Sequence, residues 1–290
     1  MTEITTTDHR IELPDGRTVA ASDTGDAGGP VVVLCHPAPG SRRLDPDPAA
    51  TVAAGVRLAG VDRPGYGGST PLAAGVAPTI PAFADDVVAV LDHLGVAEAA
   101  LAGWSAGGRV ALAAAARHPD RVSAVAVVAT PAPQDAVPWI PEEHLALLDR
   151  LAADPGGATA VLTQVFAGTA TAGAAEQVAQ VGAGPADEAV LTADPACRDR
   201  LASMMAEAFA QGAVGVAADV ASYTVVPWGF DPAAVGVPTT AFYGEGDVIV
   251  TPAHGEWYTS RVPGARLVTV PGVGHLVAVT NWADVLAAVG

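Results

Sequence analysis

The sequence predicts an α/β fold: a mostly parallel β-sheet flanked by helices, with a helical cap inserted late in the chain. Three observations carry this. Short runs rich in Val and Ala alternate with Ala-rich helical stretches, as strands covered on both faces by crossover helices should read. Between residues 134 and 231 that rhythm stops, and helical segments follow one another with no strand between them. Finally, a chain of 290 residues that is 50% hydrophobic and 16% charged can bury a substantial core without disulfides or metal.

Taken in order, residues 10–13 and 17–22 flank Pro14-Asp15-Gly16 and read as an antiparallel hairpin at the sheet edge. Strands follow at 30–36 (PVVVLCH), 55–62 (GVRLAGVD), 99–104, 122–130, 237–244 and 265–270. Residues 80–94 place Phe83, Val87, Val90, Leu91 and Leu94 at helical spacing and stop at Gly95, a natural C-cap. A second helix, 106–118, ends before Pro119. The inserted block holds helical segments at 142–153, 157–166, 197–211 and 214–223, and a last helix spans 281–289. The expected organisation is a core of residues 1–133 and 232–290 with a cap at 134–231. The few charges and many Ala and Gly between residues 156 and 185 predict a loosely packed, mobile lid.

Fourteen basic residues, all Arg, stand against thirty-one acidic ones for a net charge of −17. Nucleic acid and anionic membrane surfaces would be repelled. The first ten residues lack the basic and apolar regions of a secretion signal, and no unbroken apolar stretch is long enough to span a bilayer. The expectation is a cytoplasmic protein, monomer or homodimer, acting on a small-molecule substrate. Cys35 and Cys197 show no metal-binding or redox spacing and read as buried thiols. No HExxH or paired acidic cluster appears, so neither metal nor cofactor is expected.

The strongest chemical signal is Gly103-Trp104-Ser105-Ala106-Gly107, which follows an apolar strand and opens a helix. A nucleophile on so sharp a turn has strained backbone angles, and its neighbours two residues away must lack a Cβ for the chain to pass. The helix beginning at Ala106 aims its N-terminal amides at an oxyanion formed there.

With these residues the sequence resembles the α/β-hydrolase fold family, and further segments match in order. His36-Pro37-Ala38-Pro39-Gly40 is similar to the family's oxyanion-loop segment. That resemblance implies an oxyanion hole built from the backbone amides of Ala38 and Ala106. Pro37 departs from the usual Gly and contributes no amide, and His36 holds the loop. Asp62-Arg63-Pro64-Gly65-Tyr66-Gly67-Gly68-Ser69 resembles a glycine-rich structural turn. Asp247, in Gly244-Glu245-Gly246-Asp247, stands where the family places its acid, with Glu245 and Asp135 as other carboxylates for that role. His275, in Pro271-Gly272-Val273-Gly274-His275, stands where the family presents its histidine. The order Ser, Asp, His is the order of this fold.

The implied chemistry is nucleophilic: His275 takes the Ser105 proton, Asp247 fixes the imidazole, and an acyl-enzyme forms that water then hydrolyses with His275 as base. Trp104 and Trp228, with His36, are candidates to line the substrate pocket, although core packing is the favoured role for both tryptophans. Of the other histidines, His118 reads as a helix-end cap, and His9, His93, His144 and His254 as surface residues. The expected function is hydrolysis of a carboxylic ester or related acyl bond. A serine at this position argues against the epoxide hydrolases and haloalkane dehalogenases, which use a carboxylate. Alternatives on the same site are cofactor-free haloperoxidase-like perhydrolysis, carbon–carbon bond or lactone hydrolysis, thioesterase action, and iminopeptidase action with Glu142, Glu143 or Glu207 holding an amine. A non-catalytic ligand binder is the alternative of a different class.

Overall fold

The computed structural model describes residues 6–290. Residues 1–5, half of the stretch read for a leader, lie outside the described residues. The sheet begins with the expected hairpin, β1 (Thr7–Glu12) and β2 (Thr18–Gly25), and continues through β3 (Val31–Cys35), β4 (Arg57–Val61), β5 (Ala99–Trp104), β6 (Val122–Val128), β7 (Thr239–Gly244) and β8 (Arg266–Val270). Their spatial order is β1-β2-β4-β3-β5-β6-β7-β8. β1 and β2 are antiparallel to their neighbours and every later pairing is parallel.

Alternation along the strands divides the core in two. Val33, Cys35, Leu101, Val125, Val127, Ala241 and Tyr243 meet helices α2 (Ile80–His93) and α3 (Ala106–Arg117) on one face. Val32, Leu34, Ala102, Trp104, Val128 and Phe242 share the opposite cluster with Trp282 and Val285 of the last helix. β5 is buried at all six positions, which is why its sequence reads as one apolar run rather than an alternating one. Besides the four-residue helix at 277–280, two core helices escape the periodicity reading. These are α1 (Pro48–Ala54), capped by the Asp47 side chain with Pro48 at its start, and α11 (Pro252–Arg261).

Between β6 and β7 lie seven helices: α4 (Glu142–Leu151), α5 (Pro155–Val165), α6 (Ala167–Thr171), α7 (Ala174–Val178), α8 (Pro185–Ala193), α9 (Pro195–Ala208) and α10 (Val214–Thr224). The sequence marks four of them. The other three, α6 to α8, are short and have little apolar periodicity of their own. α4, α5 and α10 share a small cluster of Leu151, Ala158, Leu162, Ala217 and Ala221. By contrast α9 places Leu201, Met204 and Met205, all fully buried, in the cluster that also holds Trp282. Polar bonds reinforce this: Ser41 Oγ donates to Met204 O at 3.0 Å, and Gln211 Nε2 to the carbonyls of Gly67 and Ser69 at 2.9 and 2.8 Å. The second half of the block is thus packed into the core. α12 (Val277–Thr280) and α13 (Trp282–Ala287) close the chain. Among the described residues no helix is long and apolar enough to cross a membrane.

Candidate active site

Ser105 sits between β5 and α3 with φ 54° and ψ −120°, a conformation that a residue bearing a Cβ adopts only under strain. The expected steric reason for its glycine neighbours is visible. A Cβ on Gly103 would lie 2.4 Å from Gly108 Cα, and one on Gly107 would lie 2.0 Å from the Cys35 carbonyl oxygen. The tight turn presents Ser105 at the C-terminal end of the parallel strands, the usual place for a site in such sheets.

His275 follows the loop after β8, and its Nδ1 donates to Asp247 Oδ2 at 2.7 Å. The other Asp247 oxygen accepts the amides of Ile249 and Val250 at 2.9 and 2.8 Å. Burial pushes the Asp247 carboxyl up, but the His275 hydrogen bond and charge, with the two amides, outweigh it and hold the group below its ordinary value. Of the three carboxylates considered for this place, Asp247 is the one in contact with His275. Asp135 is exposed. Ser105, Asp247 and His275 line a single hollow of about 140 Å³ together with Ala38, Ala106 and Arg109. Ser105 and His275 are not hydrogen-bonded to each other among the described residues, a contact that commonly tightens only with substrate bound.

The amides of Ala38 and Ala106 have no acceptor among the described residues, and both residues border the hollow. The loop bearing Ala38 is clamped from behind. His36 is fully buried and its Nδ1 donates to Pro37 O at 2.7 Å. Arg63 donates to the carbonyls of His36 and Pro37 at 2.7 and 2.9 Å, and to Asp219 of α10 at 2.7 Å. Tyr66 OH also donates to Asp219, at 2.8 Å. Burial, with the Arg63 charge, drives the His36 pKa well down, so the ring is neutral. Through Arg63 and Tyr66 the glycine-rich turn at 62–69 supports this loop and ties it to the inserted helices.

Several expectations need correction. None of the three pocket candidates borders the Ser105 hollow. His36 lies behind the loop. Strand alternation turns Trp104 into the sheet core, fully buried, where its Nε1 donates to His275 O at 3.0 Å. Trp228 borders an adjoining hollow of about 400 Å³ that is also lined by Arg109, Trp139 and Tyr223. His254 is no surface residue: it is 1% exposed, and its Nδ1 accepts the Ala132 amide at 2.9 Å. Its pKa is lowered by burial. Glu207, one of the three acids considered for an amine, is paired with Arg42. Glu142 and Glu143 are exposed at the start of α4.

Two charged side chains at the site go unmarked in the sequence reading, as do the lining residues Trp139, Gln180, Val181 and Tyr223. Asp187, in the first turn of α8 and fully buried, accepts the amides of His275 and Leu276 at 3.1 and 2.9 Å. Burial raises its pKa, and the two amides offset part of that rise. Arg109 lies one turn into α3 from Ser105, where the only available signal is a lone cation in the apolar run Gly-Gly-Arg-Val-Ala-Leu. Cys35 and Cys197 are free, buried thiols. Among the described residues no group of three or more His, Cys, Asp or Glu side chains is placed to hold a metal ion.

The chain is similar to several known proteins. The chain is 27% identical over 238 residues to a pimeloyl-[acyl-carrier protein] methyl ester esterase of Chromobacterium violaceum, covering 79% of this chain and 80% of that protein. It is 36% identical over 129 residues to epoxide hydrolase B of Mycobacterium tuberculosis, a match covering 42% of this chain and 35% of that protein. A crystal structure of a hydrolase from Pseudomonas aeruginosa superposes with a TM-score of 0.71 at 26% identity, covering 98% of this chain and 97% of that one. A family model for the alpha/beta hydrolase fold matches residues 30–281, the span from β3 to the last helix that carries Ser105, Asp247 and His275, and the chain therefore belongs to the alpha/beta hydrolase fold family.

Proposed function

We propose that the protein is a serine hydrolase that cleaves a carboxylic ester, or a related acyl bond, of a small molecule. Ser105 is the nucleophile, His275 the base, and Asp247 the residue that fixes the imidazole tautomer and stabilises the imidazolium. The observation that carries this reading is the hydrogen bond from His275 Nδ1 to the buried Asp247 carboxylate, in a hollow that Ser105 also borders. With Nδ1 donating, Nε2 is the nitrogen left to accept the Ser105 proton.

Attack of Ser105 Oγ on the substrate carbonyl places negative charge on its oxygen, which the amides of Ala38 and Ala106 receive. His275 returns the proton to the leaving alcohol as the tetrahedral species collapses to an acyl-enzyme. Water, deprotonated by His275, then releases the acid and restores Ser105. Arg63 keeps the Ala38 loop in position by holding the carbonyls of His36 and Pro37. The inserted helices, residues 134–231, form the cap over this site and shape the pocket through Trp139, Gln180, Val181 and Tyr223.

The test is hydrolysis of p-nitrophenyl esters of increasing acyl length by the wild-type chain and by a folded Ser105→Ala variant at equal concentration. Turnover by the wild type that vanishes in the variant is the expected result. Equal activity in the two overturns the assignment of Ser105, and absence of turnover at every length overturns simple esterase action.

A further inference from the structure

Arg109 differs from Arg63, the other buried arginine among the described residues, and from the half-buried Arg42. Arg63 is matched by Asp219, and Arg42 by Asp62 and Glu207. Arg109 is 2% exposed, yet no carboxylate lies within ion-pairing distance of it among the described residues. One terminal nitrogen donates to Pro131 O at 2.7 Å, while Nε is buried with no acceptor. Its guanidinium carbon lies 4.4 Å from the Tyr223 ring centroid, 5.1 Å from Trp228 and 5.9 Å from Trp139. Aromatic faces attract the cation but offer its buried Nε–H no acceptor.

Nearby acids do not supply the missing charge. Asp135 and Asp149 border the outer hollow and are exposed. Asp247 borders the Ser105 hollow, but its oxygens are committed to His275, Ile249 and Val250. An unpaired buried charge is costly, and this one faces the hollow that contains Ser105.

Building on the proposed role of Ser105, we propose that Arg109 is the anion-binding subsite of the same pocket and that the substrate's acyl part carries a second carboxylate. The substrate class is then the half-ester of a short dicarboxylic acid, or a lactone bearing a carboxylate. Arg109 lies four residues beyond Ser105 on α3, a rise of roughly 6 Å along the helix, so a short spacer links the reacting carbonyl to the charged end. The planar fork of an arginine suits two-point binding of a carboxylate. It is the sole Arg bordering either hollow, and no Lys occurs in the chain. A single cation matches a carboxylate, whereas a phosphate dianion would call for more. The aromatic rings around the guanidinium keep water away from the pair and strengthen it.

The experiment compares kcat/KM for monomethyl glutarate and methyl butanoate, followed by acid release at constant pH. The wild type should favour the glutarate half-ester. That preference should fall about 10- to 100-fold in Arg109→Met, the range expected for losing a hydrogen-bonded charge, and recover in part in Arg109→Lys. Circular dichroism establishes that each variant is folded. A separate measurement needs no Arg109 variant: calorimetric binding of glutarate to Ser105→Ala should be at least about tenfold tighter than binding of neutral glutaramide. Ser105-dependent ester hydrolysis with an unchanged preference in folded Arg109→Met overturns the subsite, as does equal binding of glutarate and glutaramide. Selective glutarate binding without Ser105-dependent hydrolysis of either ester retains the subsite and overturns the esterase reading.

Discussion

The carboxylate of Asp187 accepts the backbone amide of His275 at 3.1 Å, so a helix of the inserted block holds the loop that carries the proposed base. The same carboxylate takes the Leu276 amide at 2.9 Å, and Gly274 packs so closely that a Cβ there would lie 2.4 Å from an Asp187 oxygen. Asp187→Ala leaves two amides without an acceptor and should cost about 2 kcal/mol or more, seen as a lower urea midpoint. Because His275 loses its support while the pocket walls stay, kcat should fall at least about tenfold, with KM changing less. A loss of stability without that split between kcat and KM would make Asp187 purely structural.

Asp247→Asn keeps the side-chain volume but removes the charge that fixes the His275 tautomer. The expected loss in kcat is about 10³- to 10⁴-fold, measured on the ester that the wild type turns over fastest. Its pH dependence has a definite sign. The folded carboxyl lies below its ordinary value of 3.8, so the native chain releases this proton more readily than the unfolded chain does. Its contribution to stability is therefore complete above pH 3.8 and is lost as pH falls through the lower folded value. Unfolding curves of wild type and Asp247→Asn should differ by a constant amount from neutral pH down to about 4 and converge only below that.

Asp219 on α10 and Arg63 on the glycine-rich turn are both buried and joined by paired hydrogen bonds. Asp219→Ala strands the Arg63 cation and should destabilise the fold by about 3–5 kcal/mol. Since Arg63 also grips the His36 and Pro37 carbonyls, ester turnover should fall in any fraction that remains folded. Thermal melts and kcat on the same preparation test both.

Gly107→Ala forces a Cβ to within 2.0 Å of the Cys35 carbonyl oxygen, backbone that cannot give way, and should abolish soluble folded protein. Gly168→Ala on α6, where a Cβ meets nothing within 4 Å, should be neutral or stabilising by up to about 1 kcal/mol. Expression and melting of the two variants side by side check the contrast.

Burial pushes the Cys35 thiol up to about 12, and Cys197 is equally hidden and raised by burial. A thiol reagent at neutral pH should find no fast-reacting group in the native protein and two after denaturation.

What the sequence determined alone is what depends on near neighbours. A strand buried on both faces reads as a nearly continuous apolar run, so β3, β5 and most of β6 can be read directly, and a turn that sharp admits only glycines two residues to either side of Ser105. His275 and Asp247 stand on loops after strands, in an order that the family resemblance supplies. The contact that selects Asp247 over Asp135 and Glu245 is tertiary. So are Asp187, Asp219 and Arg109, whose meaning rests on partners far along the chain: 88 residues separate Asp187 from His275 and 156 separate Arg63 from Asp219. His254 was misplaced for the same reason. A side chain's burial is set by which elements pack against it, and an Ala-rich helical block presents similar surfaces on all its faces. Composition could announce the inserted helices, but only their packing against the sheet decides which of their acids is buried, which arginine is left unpaired, and what the pocket can hold.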